Sequence, residues 1–185
     1  MKLLLHICDA ASSVACIRQL RDQGIEPVGY WYNPTIHPFT EYRTRRDDLK
    51  KYAESIGLEL IVEDEYNLRN FVKAVAKDID NCDAYCNAIS LGKTAQYAAR
   101  HGFEAFATTL TAFPGQDAKA ILDLGRELAG ALEFRFEPYD FSPLAQESRQ
   151  EAEKLGLYIP RYIGHIFSEE EAYKDELPKP GKIYF

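Results

Sequence analysis

Thiolate, carboxylate and imidazole groups gather at three places in this chain. Cys8 and Asp9 end the apolar run LLLHI, with Ser12 and Ser13 just beyond. Cys82, Asp83 and Cys86 crowd the stretch NCDAYC, and His165 stands alone near the C-terminal end. These donor types suit iron or zinc. Asp83 and Cys86 are three residues apart, the spacing that brings two side chains onto one face of a helical turn. His6 would point from the end of the first strand toward the same region, as a ligand or as a hydrogen-bonding partner of one. Cys16, beside Val14 and Ile17 in a helical stretch, reads as a small core residue. Disulfides are not expected of a chain read as cytosolic, so each of the four cysteines is core, reactive or a ligand.

The elements that must position these groups alternate. The patterning predicts strands at Lys2–Cys8, Pro27–Tyr32, Leu58–Val62 and Ala105–Thr109, with a short strand at Phe134–Pro138. It predicts helices at Ser12–Gln23, capped by Ser12 and stopped by Gly24, and at Thr40–Ile56, Asn67–Asp78, Ala84–His101, Asp117–Ala131 and Leu144–Leu155. A short acidic helix is expected near Ser168. Asn33–Pro38 is a rigid loop because its two prolines forbid helix. Strands alternating with helices at this spacing imply an α/β fold: one domain over residues 1–185, a three-layer Rossmann-like parallel sheet with helices on both faces, closed by an aromatic C-terminal segment, Ile183–Phe185. In such sheets the site lies at the carboxyl ends of the strands. That rule selects Cys8–Asp9, the Asn33–Pro38 loop, Thr108–Thr109 and the turn after Pro138. A strand followed by D-x-x-S-S and a helix is loosely like the phosphate loop of PP-loop ATP pyrophosphatases, so the sheet is of the HUP or PP-loop kind. The glycines that let a backbone approach phosphate are absent, however, and the likeness is one of fold.

Composition narrows the function. Of 185 residues, 46% are hydrophobic and 28% charged, ordinary globular values. No apolar run approaches the ~18 residues of a membrane span, and MKLLLH meets polar residues too soon for a secretory leader, so a cytoplasmic protein with no membrane partner is expected. A net charge of −7 argues against general nucleic-acid binding, tRNA included. Local basic clusters remain at Arg43–Lys51 and in the PKPGK tail.

The chain resembles the QueH-type epoxyqueuosine reductases, metalloenzymes that remove the epoxide oxygen from a tRNA wobble nucleoside in the last step of queuosine synthesis. YNPTIHPFTEYRTR resembles the family's YNPNIHP-x-x-EY-x-x-R, and DAYCNAISLGKTA resembles C-x-x-CY-x-x-RL-x-x-TA. GFEAFATTLTAFPGQ, YDFSP and LGLYIPRYIGHIFSEEE continue the likeness in order. The departures fall where the family is thought to hold an iron–sulfur cluster. Asp9 stands in for the second Cys of a Cys-Cys pair and Asp83 for the first Cys of C-x-x-C, while Ile163 and His165 replace a C-G-C pair. Cys82 falls where an Arg is usual. The resemblance therefore implies a remodelled metal site of Cys8, Asp9, Asp83, Cys86 and His165, for one or two iron ions, or zinc, with an iron–sulfur cluster as the altered alternative. It implies substrate contacts from Asn33, His37, Glu41, Arg45, Thr108 and Thr109, with His37, Tyr42 and Asp140 as catalytic groups. Glu41 and Arg45 also have the spacing of a helix-surface ion pair.

Three functions follow. The first is a metal-dependent oxidoreductase acting on a small-molecule or nucleoside-like substrate with an external electron donor. The second is epoxyqueuosine reduction on tRNA with an altered cluster, and the third a non-catalytic binding protein of the same fold.

Overall fold

A computed structural model describes residues 1–178 of the chain; the Ile183–Phe185 segment lies outside the described residues. Four parallel strands form one sheet in the order β3-β2-β1-β4: β1 (Leu3–His6), β2 (Val28–Trp31), β3 (Leu60–Val62) and β4 (Ala105–Thr108). Every residue of β1, β2 and β4 is buried, as expected of strands covered on both faces. Alternation divides them between two cores. Leu3, Leu5 and Trp31 face helices α1 (Ala10–Asp22), α2 (Phe39–Ser55) and α6 (Ala145–Lys154). Leu4, Tyr30 and Phe106 face α4 (Cys82–Arg100) and α5 (Ala118–Ala131). The result is the three-layer Rossmann-like α/β fold of the HUP and PP-loop kind. Among the described residues, no helix is long and apolar enough to cross a membrane.

Chain order reverses between β1 and β4, which pair with His6 opposite Thr108. A crevice outside the carboxyl ends of these two strands is the usual ligand site in an open α/β sheet. Two short helices reach that end of the molecule, α3 (Leu68–Val75) and α7 (Ile166–Ala172).

Four elements differ from the sequence expectation, each for a local reason. Helix α1 starts at Ala10 because Asp9, not Ser12, is its cap; the Asp9 carboxylate accepts from the Ser12 amide at 2.7 Å and the Ser12 hydroxyl at 2.8 Å. Helix α3 ends at Val75, and a separate 3₁₀ turn, Ile79–Asn81, leads straight into α4, which begins two residues earlier than predicted, at Cys82. The fifth strand shrinks to one bridge between Phe106 and Phe136. The Glu137 amide still donates to Phe106 O, but Pro138 after it has no amide to extend the ladder.

Candidate metal centre

Because α4 begins at Cys82, Cys82 and Cys86 lie one helical turn apart and face the same buried side, 5% and 8% exposed. Asp83, a residue on, is half exposed. His165 reaches the first turn of α4 from the C-terminal segment. Its Nε2 lies 2.5 Å from Asp83 Oδ1, and both ring nitrogens lie 3.7 Å from Cys82 Sγ. Among the described residues, one donor from each of Cys82, Asp83 and His165 fits within a mutual 4.8 Å, close enough to hold a metal ion. Phe71 of α3 floors the group, packing its ring against His165 at 5.7 Å and against Cys82 and Cys86 in one apolar cluster. On the solvent side the group opens into a groove lined by Asp80, Glu170 and Glu171, the last paired with Lys174 at 2.6 Å. These acidic walls raise the local concentration of cations.

His165 has a defined tautomer. Its Nδ1 accepts from the Ser168 amide at 3.1 Å, capping α7, which leaves the proton on Nε2 facing Asp83. Cys82 has its thiol pushed up, first by burial and then by the Asp83 charge, so a thiolate there calls for a cation.

On the inner side, His165 also borders a small enclosed cavity at the β1/β4 switch point. Its other walls include Cys8, Asn33, Thr35, Cys86, Asn87, Ser90 and Gln116. Ile36, Leu110 and Ile163 complete a mixed lining with no Asp, Glu, Lys or Arg, and Gln116 Nε2 is a buried donor with no partner. Burial pushes the Cys86 thiol up to about 12 and the Cys8 thiol higher still, so both remain protonated at neutral pH.

The residues singled out in the sequence separate in space. Asp83 and His165 meet, but their thiol partner at ligand distance is Cys82; Cys8, Asp9 and Cys86 stand outside that group. Asp9 is 1% exposed, and its oxygens are taken by Ser12 and by the Cys8 thiol at 3.2 Å. Asn33 lines the cavity and its Oδ1 faces His6 Nε2 at 3.0 Å. The Asn33 amide donates to Ile7 O, so Oδ1 must accept, Nε2 carries the proton, and His6 Nδ1 accepts from the Thr108 hydroxyl. Burial holds His6 down to about 4, neutral and fully spent as a pin between strands. Thr109 is buried 4.0 Å from the Cys8 sulfur.

Glu41 and Arg45, expected as substrate contacts, are buried: Arg45 is 1% exposed and hydrogen-bonds to Glu41 and to the backbone of Tyr162 and Ile163. An ion pair expected on the surface is buried because the C-terminal segment lies over it. Tyr42 and Asp140, expected as catalytic groups, both make contacts within the fold. The Tyr42 hydroxyl donates to Asp64 at 2.7 Å within an aromatic cluster, and exposed Asp140 accepts from the Ser142 amide at 2.9 Å to close a turn. His37 is fully buried beside Phe71 and Tyr66, both ring nitrogens without a partner; burial, then nearby His165, lowers it to about 4. The sequence reading placed Cys82 among the candidate donors but left it out of the ligand set, because the resemblance puts an Arg at that position. It missed Thr35, Asn87, Ser90 and Gln116, ordinary polar residues whose convergence is purely tertiary.

The donor set discriminates between metal groups. A [4Fe–4S] cluster requires four ligands, usually thiolates. The chain has four cysteines in all, of which Cys16 is 0% exposed and bonded to Ser12 O, and Cys8 is bonded to Asp9. The residues do not fit a four-thiolate cluster. They do fit one ion with sulfur, oxygen and nitrogen donors and a position left open, the pattern of catalytic rather than structural sites.

Comparison with known proteins gives the family. Residues 3–171 match the family model described as epoxyqueuosine reductase QueH. The chain is 35% identical over 172 residues to the epoxyqueuosine reductase QueH of Dehalococcoides mccartyi, covering 93% of this chain and 94% of that one. It is 30% identical to the Thermotoga maritima QueH over 176 residues, 90% of this chain and 89% of the relative. A Helicobacter pylori QueH is 30% identical over 98% of this chain, which spans 53% of that longer protein. Among solved structures, a predicted subunit of tRNA methyltransferase from Methanocaldococcus jannaschii superposes with a TM-score of 0.52 at 13% identity, covering 94% of this chain and 88% of that one; that likeness concerns the fold alone.

Proposed function

The chain belongs to the epoxyqueuosine reductase QueH family of oxidoreductases, and on that premise we propose that it removes an epoxide oxygen from a modified nucleoside of tRNA at a single-metal centre, with iron as the favoured ion. The observation that carries this reading is the convergence of Cys82, Asp83 and His165 beside the switch-point cavity. Cys8, Asp9 and Cys86, part of the expected ligand set, are reassigned: Asp9 to capping α1 and the two thiols to the cavity wall.

Turning an epoxide into an alkene and water consumes two electrons and two protons. Iron held by Cys82, Asp83 and His165 would supply Lewis acidity toward the epoxide oxygen and a redox-active centre for the electrons, which come from an external donor. This chain's own residues do the rest. Asn33, Asn87, Ser90 and Gln116 offer neutral donors and acceptors in a cavity of about 30 Å³, room for one small polar group such as a substrate hydroxyl while the rest of the nucleoside stays outside. The protonated Cys8 and Cys86 thiols and the Phe71 floor keep the inner side of the site poor in water. The net charge of −7 does not argue against a tRNA substrate as strongly as the sequence expectation held, because Arg43, Lys50 and Lys51 all stand exposed on α2.

The test is anaerobic loading with ferrous iron, followed by elemental analysis, acid-labile sulfide assay and nucleoside mass analysis of epoxyqueuosine-containing tRNA. Expected are one iron per chain, no sulfide and loss of the epoxide. Cys82→Ser, Asp83→Asn and His165→Gln each lose the iron while Cys16→Ala keeps it. Stoichiometric sulfide would instead establish an altered cluster, and a protein that takes up no metal would be the binding protein without chemistry.

A further inference from the structure

The motif that matches the family best, Ile36-His37-Pro38 followed by Glu41 and Arg45, is the expected place for substrate contacts, yet its polar groups point elsewhere. Arg45 Nε donates to Glu41 Oε1 at 2.7 Å. Its two terminal nitrogens donate to the carbonyls of Tyr162 at 2.7 Å and Ile163 at 2.8 Å. The other Glu41 oxygen accepts from the Tyr158 hydroxyl at 2.6 Å. His37 takes part through its backbone: its amide donates to Gly164 O at 2.7 Å, and its carbonyl accepts from the Tyr162 hydroxyl at 2.6 Å. Ile36 closes the contact so tightly that a Cβ on Gly164 would lie 3.2 Å from Ile36 Cγ1.

All these partners lie between Tyr158 and Gly164, and the next residue is His165. We infer that Arg45 is a positioning residue for the metal centre: with Glu41 it clamps the backbone that delivers His165 to Cys82 and Asp83. The inference rests on the metal reading above. Residues 158–164 lie in no helix or strand; α7 ties Gly164 and His165 to Ser168, and the clamp ties the stretch before them to α2, which sets where the start of α7 stands over the first turn of α4. Outer partners that fix a ligand's orientation commonly set metal affinity as strongly as geometry allows. The guanidinium suits the task because its planar fork reaches two carbonyls and a carboxylate at once; a lysine ammonium is a point charge that keeps the Glu41 pair and loses the fork.

The test uses cobalt(II) as the probe on the full chain, reading the dissociation constant and the sulfur-to-cobalt charge-transfer band. Arg45→Lys is expected to weaken cobalt binding about 10–100-fold and to change the band, because a displaced His165 alters the ligand field. Tyr158→Phe, which removes one hydroxyl only, gives a smaller loss of the same kind and stands in should Arg45→Lys fold poorly. Ser148→Ala is the control: it breaks a buried bond between α6 and α1, costing stability with no contact to the clamped segment. The control keeps the wild-type band and affinity. Arg45→Lys and Tyr158→Phe binding cobalt as the wild type does would overturn the clamp while leaving the metal reading intact. A wild type that binds no cobalt would overturn both.

Discussion

Replacing Asp9 separates two roles that its position in the sequence confuses. If Asp9 is the cap of α1, Asp9→Ala strips the Ser12 amide of its acceptor at 2.7 Å, a loss worth about 1 kcal/mol at a helix N-terminus. It also removes the acceptor of the buried Ser12 hydroxyl and of the Cys8 thiol, and a stranded buried donor costs about 1–3 kcal/mol. The sum is about 2–4 kcal/mol, which for a domain of this size lowers Tm by roughly 6–12 °C. Asp9→Asn keeps the amide acceptor and turns its NH2 toward groups able to accept, so its cost is about 1 kcal/mol or less. Neither change touches Cys82, Asp83 or His165. Calorimetry of the metal-free protein and iron content after loading are the two readouts. Expected is a graded loss of Tm, Ala well below Asn, with one iron retained by both variants. The reasoning fails if both variants lose the iron while Tm stays put, because Asp9 would then be a ligand and not a cap.

Two further outcomes follow from buried groups. His6 and His37 both titrate near 4 in the fold against an ordinary 6.5, so the unfolded chain binds more protons between those values and stability falls as pH drops from about 6.5 toward 4, by about 3 kcal/mol for each histidine. Urea midpoints of His37→Phe, which removes an imidazole with no partner, should fall less steeply over that window with no loss at pH 7; an unchanged slope would show that His37 is not neutral in the fold. Gly164→Ala should weaken cobalt binding by pressing on Ile36 Cγ1, and Ile36→Ala, which removes that atom, should restore part of the loss; a fully tolerated alanine at position 164 would mean that the clamp has slack.

The parallel sheet was legible because β1, β2 and β4 are short apolar runs bounded by turns and helices, a pattern with few competing folds. The switch-point rule pointed to the crevice between β1 and β4, where Cys8 and Asn33 share a small cavity with Cys86 and His165. What stayed hidden depended on helix starts. Ser12 and Asp9 are both good caps, and only the carboxylate's two bonds to Ser12 decide for Asp9. Glu41 and Arg45 read as a surface pair because helical spacing says nothing about what lies over a helix, and residues 158–165 cover this one.

The start of α4 decides the chemistry as well. A helix beginning at Ala84 would leave Cys82 and Asp83 on a loop and make Cys86 the natural thiol partner of His165. Beginning at Cys82, it puts three candidate donors on one rigid element, and the pairing is then set by how far along the axis His165 can reach. One turn of helix rises about 5.4 Å, more than the spread of a three-donor ion site, so His165 can serve the first turn or the second but not both. Phe71 blocks nothing at the first turn and packs against His165 there, while the clamp from Arg45 fixes the height of the backbone. The choice of Cys82 over Cys86 is thus a property of α2 and the C-terminal segment as much as of α4. Deleting Gly164 should hand the ion to neither thiol, rather than to Cys86, because the imidazole would be turned off the helix altogether, and a deletion variant that still binds cobalt with a sulfur charge-transfer band would refute this.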